Sequence, residues 1–153
     1  MKYFLLGAFS SAILLYGVAL VYGATGTTSL SGIAVFLSQT ALLEEGTLLA
    51  GLMLVLVGIG FKIAAVPFHM WTPDVYDGAP TPVTAFMASA TKAAGFAALL
   101  RILLTGFPLY RADWRPVIFA LAVVTLLFGA IAALAQTDIK RMLKIVNALD
   151  TSI

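Results

Sequence analysis

Two lysines lie deep inside stretches that are otherwise apolar for about twenty residues, and this restricts the chain more than any other feature. A membrane-spanning helix needs about 20 mostly apolar residues at roughly 1.5 Å of rise each. Four stretches reach that length, at about 3–22, 48–70, 83–104 and 117–136. None of them sustains the period-two alternation of a strand. Lys62 stands about fifteen residues into the second stretch, roughly 22 Å from its start. Lys92 stands about nine residues from either end of the third, roughly 14 Å from each. A lysine stem does not snorkel that far. A charge at the bilayer centre costs about 2.5–3.5 kcal/mol on insertion scales. Both lysines must therefore face protein or water, and intramembrane ionisable groups mark ion or proton paths.

Composition supports an all-α membrane protein of about four transmembrane helices. Of 153 residues, 61% are hydrophobic and 10% are charged, where a soluble domain has roughly 45–50% and about 25%. A soluble chain of this length still needs a polar surface. The net charge of +2 is too small to suggest nucleic acid. The absence of cysteine excludes disulfides, a thiol catalyst, and cysteine-held zinc or iron–sulfur clusters. There is no Gly-rich phosphate loop, nucleophile elbow or metal-spaced histidine cluster. No cofactor or metal site is therefore expected in this chain.

The stretch at 3–22 exceeds the 7–15 apolar residues of a signal peptide, so it reads as a span. Between the first two spans, residues 33–43 form an apolar run of only about eleven residues. That predicts a short interfacial or re-entrant helix, with Glu44 and Glu45 in water. Lys2, Lys140, Arg141 and Lys144 fall on one side of four spans, and Arg101, Arg111 and Arg115 on the other. The compact cluster at 140–144 favours placing both ends in the cytoplasm.

Pro67 follows Lys62 by five residues. It removes a backbone donor, clashes with the carbonyl of Ile63 and pushes Val66 out of helical geometry. The second span is thus expected to break near Pro67, about one turn beyond Lys62, leaving unpaired carbonyls near the ammonium. Broken helices at membrane depth line protein or a wet cavity. His69, seven residues after Lys62, is a candidate proton carrier, since histidine titrates near neutral pH. Pro73, Gly78, Pro80 and Pro82 forbid a continuous helix between the second and third spans. Asp74 and Asp77 read as turn and cap residues. Around Lys92, the small pairs Ser89/Ala93 and Thr91/Gly95 predict close helix packing, with Lys92 turned into the bundle. Ser89 and Thr91 are expected to hydrogen-bond across helices.

At these residues the chain resembles a known family. Residues 60–101, GFKIAAVPFHMWTPDVYDGAPTPVTAFMASATKAAGFAALLR, closely resemble the antiporter-like region of the subunit N family of proton-pumping NADH:quinone oxidoreductase, respiratory complex I. MKYFLLGAFSSAILLYGVALVYGATG is similar to the preceding helix, and ALAQTDIKRML at 133–143 to the end of a later one. WTPDVYDGAPTP looks like subunit N; the related subunits L and M and the sodium/proton antiporters carry a WLPD-type segment there.

The resemblance implies a fragment of a fourteen-helix antiporter-like fold, with Lys62 on the broken helix and Lys92 on the next as proton-channel lysines. It further implies a Glu on the helix before Met1 and another Lys on a later helix. NAD, FMN, iron–sulfur clusters and quinone would belong to partner subunits, and this chain would hold no redox group. The setting implied is a bacterial inner membrane, among other complex I membrane subunits. Residues 144–153 depart from the family's continuation and read as an aberrant tail. The residues alone fit a sodium/proton antiporter equally well. A non-functional gene fragment or a purely structural module is a third reading, and the missing Glu and the tail feed it.

Overall fold

In the computed structural model, which describes residues 2–39 and 45–135, the chain forms six α-helices and no strand among those residues. They are α1 (Lys2–Thr25), α2 (Leu30–Gln39), α3 (Glu45–Ile63), α4 (Thr72–Gly78), α5 (Thr81–Arg101) and α6 (Arg111–Leu134). A wider π-helical turn, Ile102–Gly106, extends α5. Four helical segments are long and apolar enough to cross a membrane: Tyr3–Thr25, Gly46–Ile63, Thr81–Gly106 and Arg111–Ala132. The short helix expected between the first two spans is α2. The expected tail at 144–153 lies outside the described residues, as do Glu44, Lys140, Arg141 and Lys144.

Helix α3 is the axis of the molecule. Its spanning window is 56% buried, against 6–17% for the other three. Leu48, Leu52, Val55, Leu56, Ile59 and Ile63 recur at helical spacing and form the centre of the apolar core. Helix α1 covers α3 most extensively. The reason is the absence of side chains at the crossing. A Cβ added at Gly17 would lie 2.8 Å from both the Gly51 carbonyl oxygen and the Val55 nitrogen. A Cβ at Gly58 would lie 2.6 Å from that of Leu14. In lipid, where apolar burial drives nothing, such close backbone approach is what holds helices together. Ser10 also donates a hydrogen bond to the Gly58 carbonyl at 3.4 Å.

Connections end the helices by identifiable devices. Thr25 donates to the Val21 carbonyl at 2.8 Å, and Gly26 takes φ of 72° just after α1. Ser29 accepts from the Gly32 N–H at the start of α2. Ile33 and Leu37 of α2 join the core, and α2 packs on the π-helical turn. The buried indole of Trp114 donates to the Phe107 carbonyl at 3.0 Å and ties the start of α6 to that turn.

The outward faces of α1, α5 and α6 remain apolar, with Phe4, Phe9, Phe86, Leu100, Phe119 and Ile131 exposed. Soluble proteins rarely expose such contiguous apolar surface. On a spanning helix it meets lipid or further helices.

The α1–α3 crossing predicts a sharp asymmetry among glycines. Gly17→Ala meets backbone on α3 and is expected to cost about 1–3 kcal/mol. Gly23→Ala has nothing within 4 Å of the added Cβ and is expected to be neutral or slightly stabilising. Unfolding in mixed micelles by denaturing detergent distinguishes them; equal stabilities would contradict the crossing.

Candidate proton-path site

The break in the second span is the most irregular backbone in the structure. Helix α3 stops at Ile63, one residue past Lys62 and earlier than Pro67 alone requires. Ala64 takes φ of 60°, the left-handed region. The Ala65 N–H bonds to the Gly60 carbonyl at 2.9 Å and the Ala64 N–H to the Phe61 carbonyl at 3.2 Å. Those two bonds define a Schellman helix end, a position usually given to glycine. The buried indole of Trp71 donates to the Phe61 carbonyl as well, at 3.1 Å. So the carbonyls of Gly60 and Phe61 are capped, where the sequence predicts open ones near the lysine. The Val66–Pro67 peptide is cis. The chain then turns through residues 68–71, with Phe68 N–H bonded to the Ala65 carbonyl at 2.6 Å, and resumes as α4.

The break is not confined to its own helix. Val66 N–H donates to the Thr125 hydroxyl of α6 at 3.1 Å. The His69 ring lies 4.6 Å from that of Phe128, one turn further along α6. An aromatic group fills the other side: Trp71 lies 5.4 Å from Phe61, 5.1 Å from Tyr3 and 6.3 Å, edge-on, from Tyr76. Met87 and Ala88 of α5 pack on the same group.

Lys92 is 2% exposed, enclosed as the small residues around it predict. It sits one helical turn beyond Ala88 and shares a stripe with Gly95, Phe96 and Leu99. That stripe faces α3. A Cβ at Gly95 would lie 2.6 Å from Ile63 Cγ2, so α5 crosses α3 at the residue next to Lys62. Around this crossing, Gly60, Ile63, Ala65, Phe96, Leu99 and Thr125 help to line a cavity of about 70 Å³.

Lys62, Pro67 and His69 follow one another along one broken span, and the helix that carries Lys92 crosses that span at Ile63. Two expectations are corrected. Lys62, deep in its span by sequence, is exposed here. It continues the stripe Gly51, Val55, Gly58 that faces α1. At that level the first turns of α1 pack on the neighbouring Phe61 through Tyr3 and leave Lys62 uncovered. Ser89 and Thr91 bond to no other helix among the described residues. Each donates to its own helix, Ser89 to the Ala85 carbonyl and Thr91 to the Met87 carbonyl, both at 2.8 Å. Among the small residues flanking Lys92, Gly95 carries the close packing. Asp74 lies in the first turn of α4, where its charge suits the helix N-terminus, but the N-cap is Trp71 and no side chain caps the helix there.

Sequence reasoning missed Thr125, a hydroxyl in the middle of an apolar span. It also missed Thr72 and Tyr76. Their hydroxyls, together with His69 Nδ1, are buried without a hydrogen-bond partner among the described residues. At helical spacing 69, 72 and 76 share one face of the turn and α4. Unpartnered buried polar atoms are rare in native proteins and take ordered water where there is room. That lone polar residues in apolar segments carry the tertiary bonds is the signal that could have found Thr125.

Trp71→Phe keeps the aromatic packing and deletes the bond to the Phe61 carbonyl. It is expected to destabilise the fold by about 1 kcal/mol, read by the same detergent unfolding. A change within error would mean the indole bond does not hold the helix end.

Comparison with known proteins fits this geometry. The family described as NADH:quinone oxidoreductase/Mrp antiporter, transmembrane, matches residues 1–145. NADH-quinone oxidoreductase subunit N of Trichlorobacter lovleyi is 59% identical over 143 residues, 94% of this chain and 29% of that protein. Subunit N of Mycobacterium bovis is 57% identical over the same length, 27% of its own. The chain thus spans less than a third of the relatives it matches. Among solved structures, a chain of respiratory complex I from Thermus thermophilus with bound aureothin superposes with a TM-score of 0.78 at 44% identity, covering 99% of this chain and 31% of that one. A chain of an archaeal membrane-bound sulfane sulfur reductase superposes with a TM-score of 0.85 at 31% identity, again over 99% and 31%. A helix broken beside one lysine, a second lysine enclosed on the next span, and this match over nearly the whole length establish that the chain belongs to the NADH:quinone oxidoreductase/Mrp antiporter membrane family.

Proposed function

We propose that the chain is the proton-relay section of a subunit N of NADH:quinone oxidoreductase, with Lys92, Lys62 and His69 passing protons beside the break at Pro67. The observation that carries this reading is the enclosure of Lys92 against the helix end that bears Lys62. An ammonium so placed costs stability unless it is paired or hydrated, and a membrane chain that keeps one uses it. In the relay, Lys92 receives a proton through a wet path and exchanges it with Lys62. Gain or loss of a carboxylate partner at Lys62 moves that proton. The exposed flank of Lys62 suits such a partner from an adjoining helix, as the resemblance implies. Oxidation of NADH and reduction of quinone belong to partner subunits carrying FMN and iron–sulfur clusters; this chain supplies no redox group.

The fold alone also serves a sodium/proton antiporter subunit, and its likeness to a sulfane sulfur reductase chain shows that it recurs in other membrane complexes. Identity near 59% to subunit N and the WTPDVYDGAPTP segment favour the NADH-linked enzyme. The proposed setting is a bacterial inner membrane, with both ends of the segment on the cytoplasmic side.

Two measurements test this. In a full-length subunit N carrying this segment, Lys62→Ala and Lys92→Ala are each expected to reduce NADH-driven proton pumping into vesicles at least about tenfold, the scale of a lost proton-transfer group. Pumping at the parent level in both variants would overturn the relay. The segment has no cysteine, so single cysteines report its topology. Thr28→Cys and Leu109→Cys are expected to react with an impermeant thiol reagent from outside, and Ala79→Cys only from the cytoplasm. The reverse pattern would overturn the orientation.

A further inference from the structure

The backbone donors of the break are disposed of unequally. Ala64 and Ala65 bond to carbonyls in the last turn of α3, Phe68 bonds to the Ala65 carbonyl, and Pro67 has no N–H to offer. Val66 instead reaches another span, 59 residues along the chain, at the Thr125 hydroxyl. Both residues are buried, Thr125 to 2% exposure and Val66 to 6%. Thr125 is itself fixed. Its hydroxyl donates to the Leu121 carbonyl at 2.6 Å and accepts from Val66 at 3.1 Å. The O–H is thereby committed to its own helix, and a lone pair is held towards the break. One turn on, Phe128 carries the His69 ring. Helix α6 therefore grips the break twice, at positions 125 and 128, on one stripe. Thr125 also helps to line the cavity bounded by Ile63 and by Phe96 and Leu99 of the Lys92 stripe.

We propose that Thr125 is a positioning residue for the proton relay: its hydroxyl, held by Leu121 and holding Val66, fixes the break and so sets where Lys62 and His69 stand. The proposal rests on the relay reading above for its consequence, but not for its geometry. The bond ties the backbone of the break directly to another span. Displacing α6 relative to α3 breaks it, because the Val66 donor has no helical carbonyl to return to. Without it, the end of α3 and the His69 turn are free to move relative to Lys92. In this way the position of α6 governs the relay.

The test compares Thr125→Val, which keeps the shape and removes the acceptor, with Thr125→Ser, which keeps the acceptor and removes a methyl. Both are made in a full-length subunit N carrying this segment and assembled in its complex. Two quantities are read: hydrogen exchange of the Val66 amide and protons pumped per electron. In Thr125→Val, exchange at Val66 is expected to rise about tenfold, the scale of one buried hydrogen bond, and the proton-to-electron ratio to fall. Thr125→Ser is expected to match the parent in both. Unchanged protection at Val66 in the valine variant overturns the proposal. So does a serine variant as impaired as the valine one, because the methyl and not the hydroxyl would then matter. If the valine variant does not assemble, Thr125→Ala, which removes the acceptor without adding bulk, is read by the same two criteria. Failure of the relay reading is separate: Lys92→Ala would pump at the parent level, while Val66 protection would still depend on the hydroxyl.

Discussion

An ammonium group enclosed in an apolar bundle is the constraint around which this structure is arranged. Lys92 is buried to 2% exposure in a chain that is 61% hydrophobic. Desolvating a charge is tolerated only with partners or water close by. Everything around Lys92 bears on that requirement. Its own helix offers small residues, so that α5 can approach α3 until Gly95 meets Ile63. The helix it approaches is the one that breaks there, and beyond the break His69, Thr72 and Tyr76 bury polar atoms without a hydrogen-bond partner among the described residues. Non-helical backbone at that depth survives where protein or a wet cavity lines it.

The break is held from three directions. Locally, the Schellman bonds cap α3 while Ala64 accepts a left-handed conformation that costs an L-residue about 1–2 kcal/mol. From the start of α4, the Trp71 indole adds a second donor to the Phe61 carbonyl. From α6, Thr125 takes the remaining Val66 donor. The first two ties are local in sequence; the third comes from another span. Strained backbone that persists because its surroundings over-determine it is characteristic of functional and switch regions. Here the strain sits two residues from Lys62, and a distant helix holds it.

Much of this is legible in the sequence, and the illegible part has a physical reason. The spans follow from length and hydropathy, and the break near Pro67 follows from proline geometry. Enclosure of Lys92 follows from the small residues around it. The helix end itself lies one turn earlier than proline geometry implies, because Ala64 adopting φ of 60° contradicts alanine's local preference and is settled by packing. The crossing at Gly17, Gly51 and Gly58 is invisible in the sequence because isolated glycines in long apolar runs carry no pattern until two helices are paired. Ser89 and Thr91 mislead for a related reason: a hydroxyl on a helix can always satisfy itself on the preceding turn. Thr125 does that too, and also accepts from Val66, a distinction that only tertiary structure makes.

The proposed relay requires that water reach Lys92 inside an otherwise apolar span. The segment is cysteine-free, so one substituted cysteine reports its own surroundings. The direct measurement is the reaction rate of Lys92→Cys with a small cationic thiosulfonate in membranes, set beside Phe119→Cys on the apolar face of α6, where Phe119 is 70% exposed. Position 92 is expected to react and position 119 is not, although 92 is the more deeply buried. A cysteine at 92 as inert as one at 119, in protein that remains folded, would contradict it.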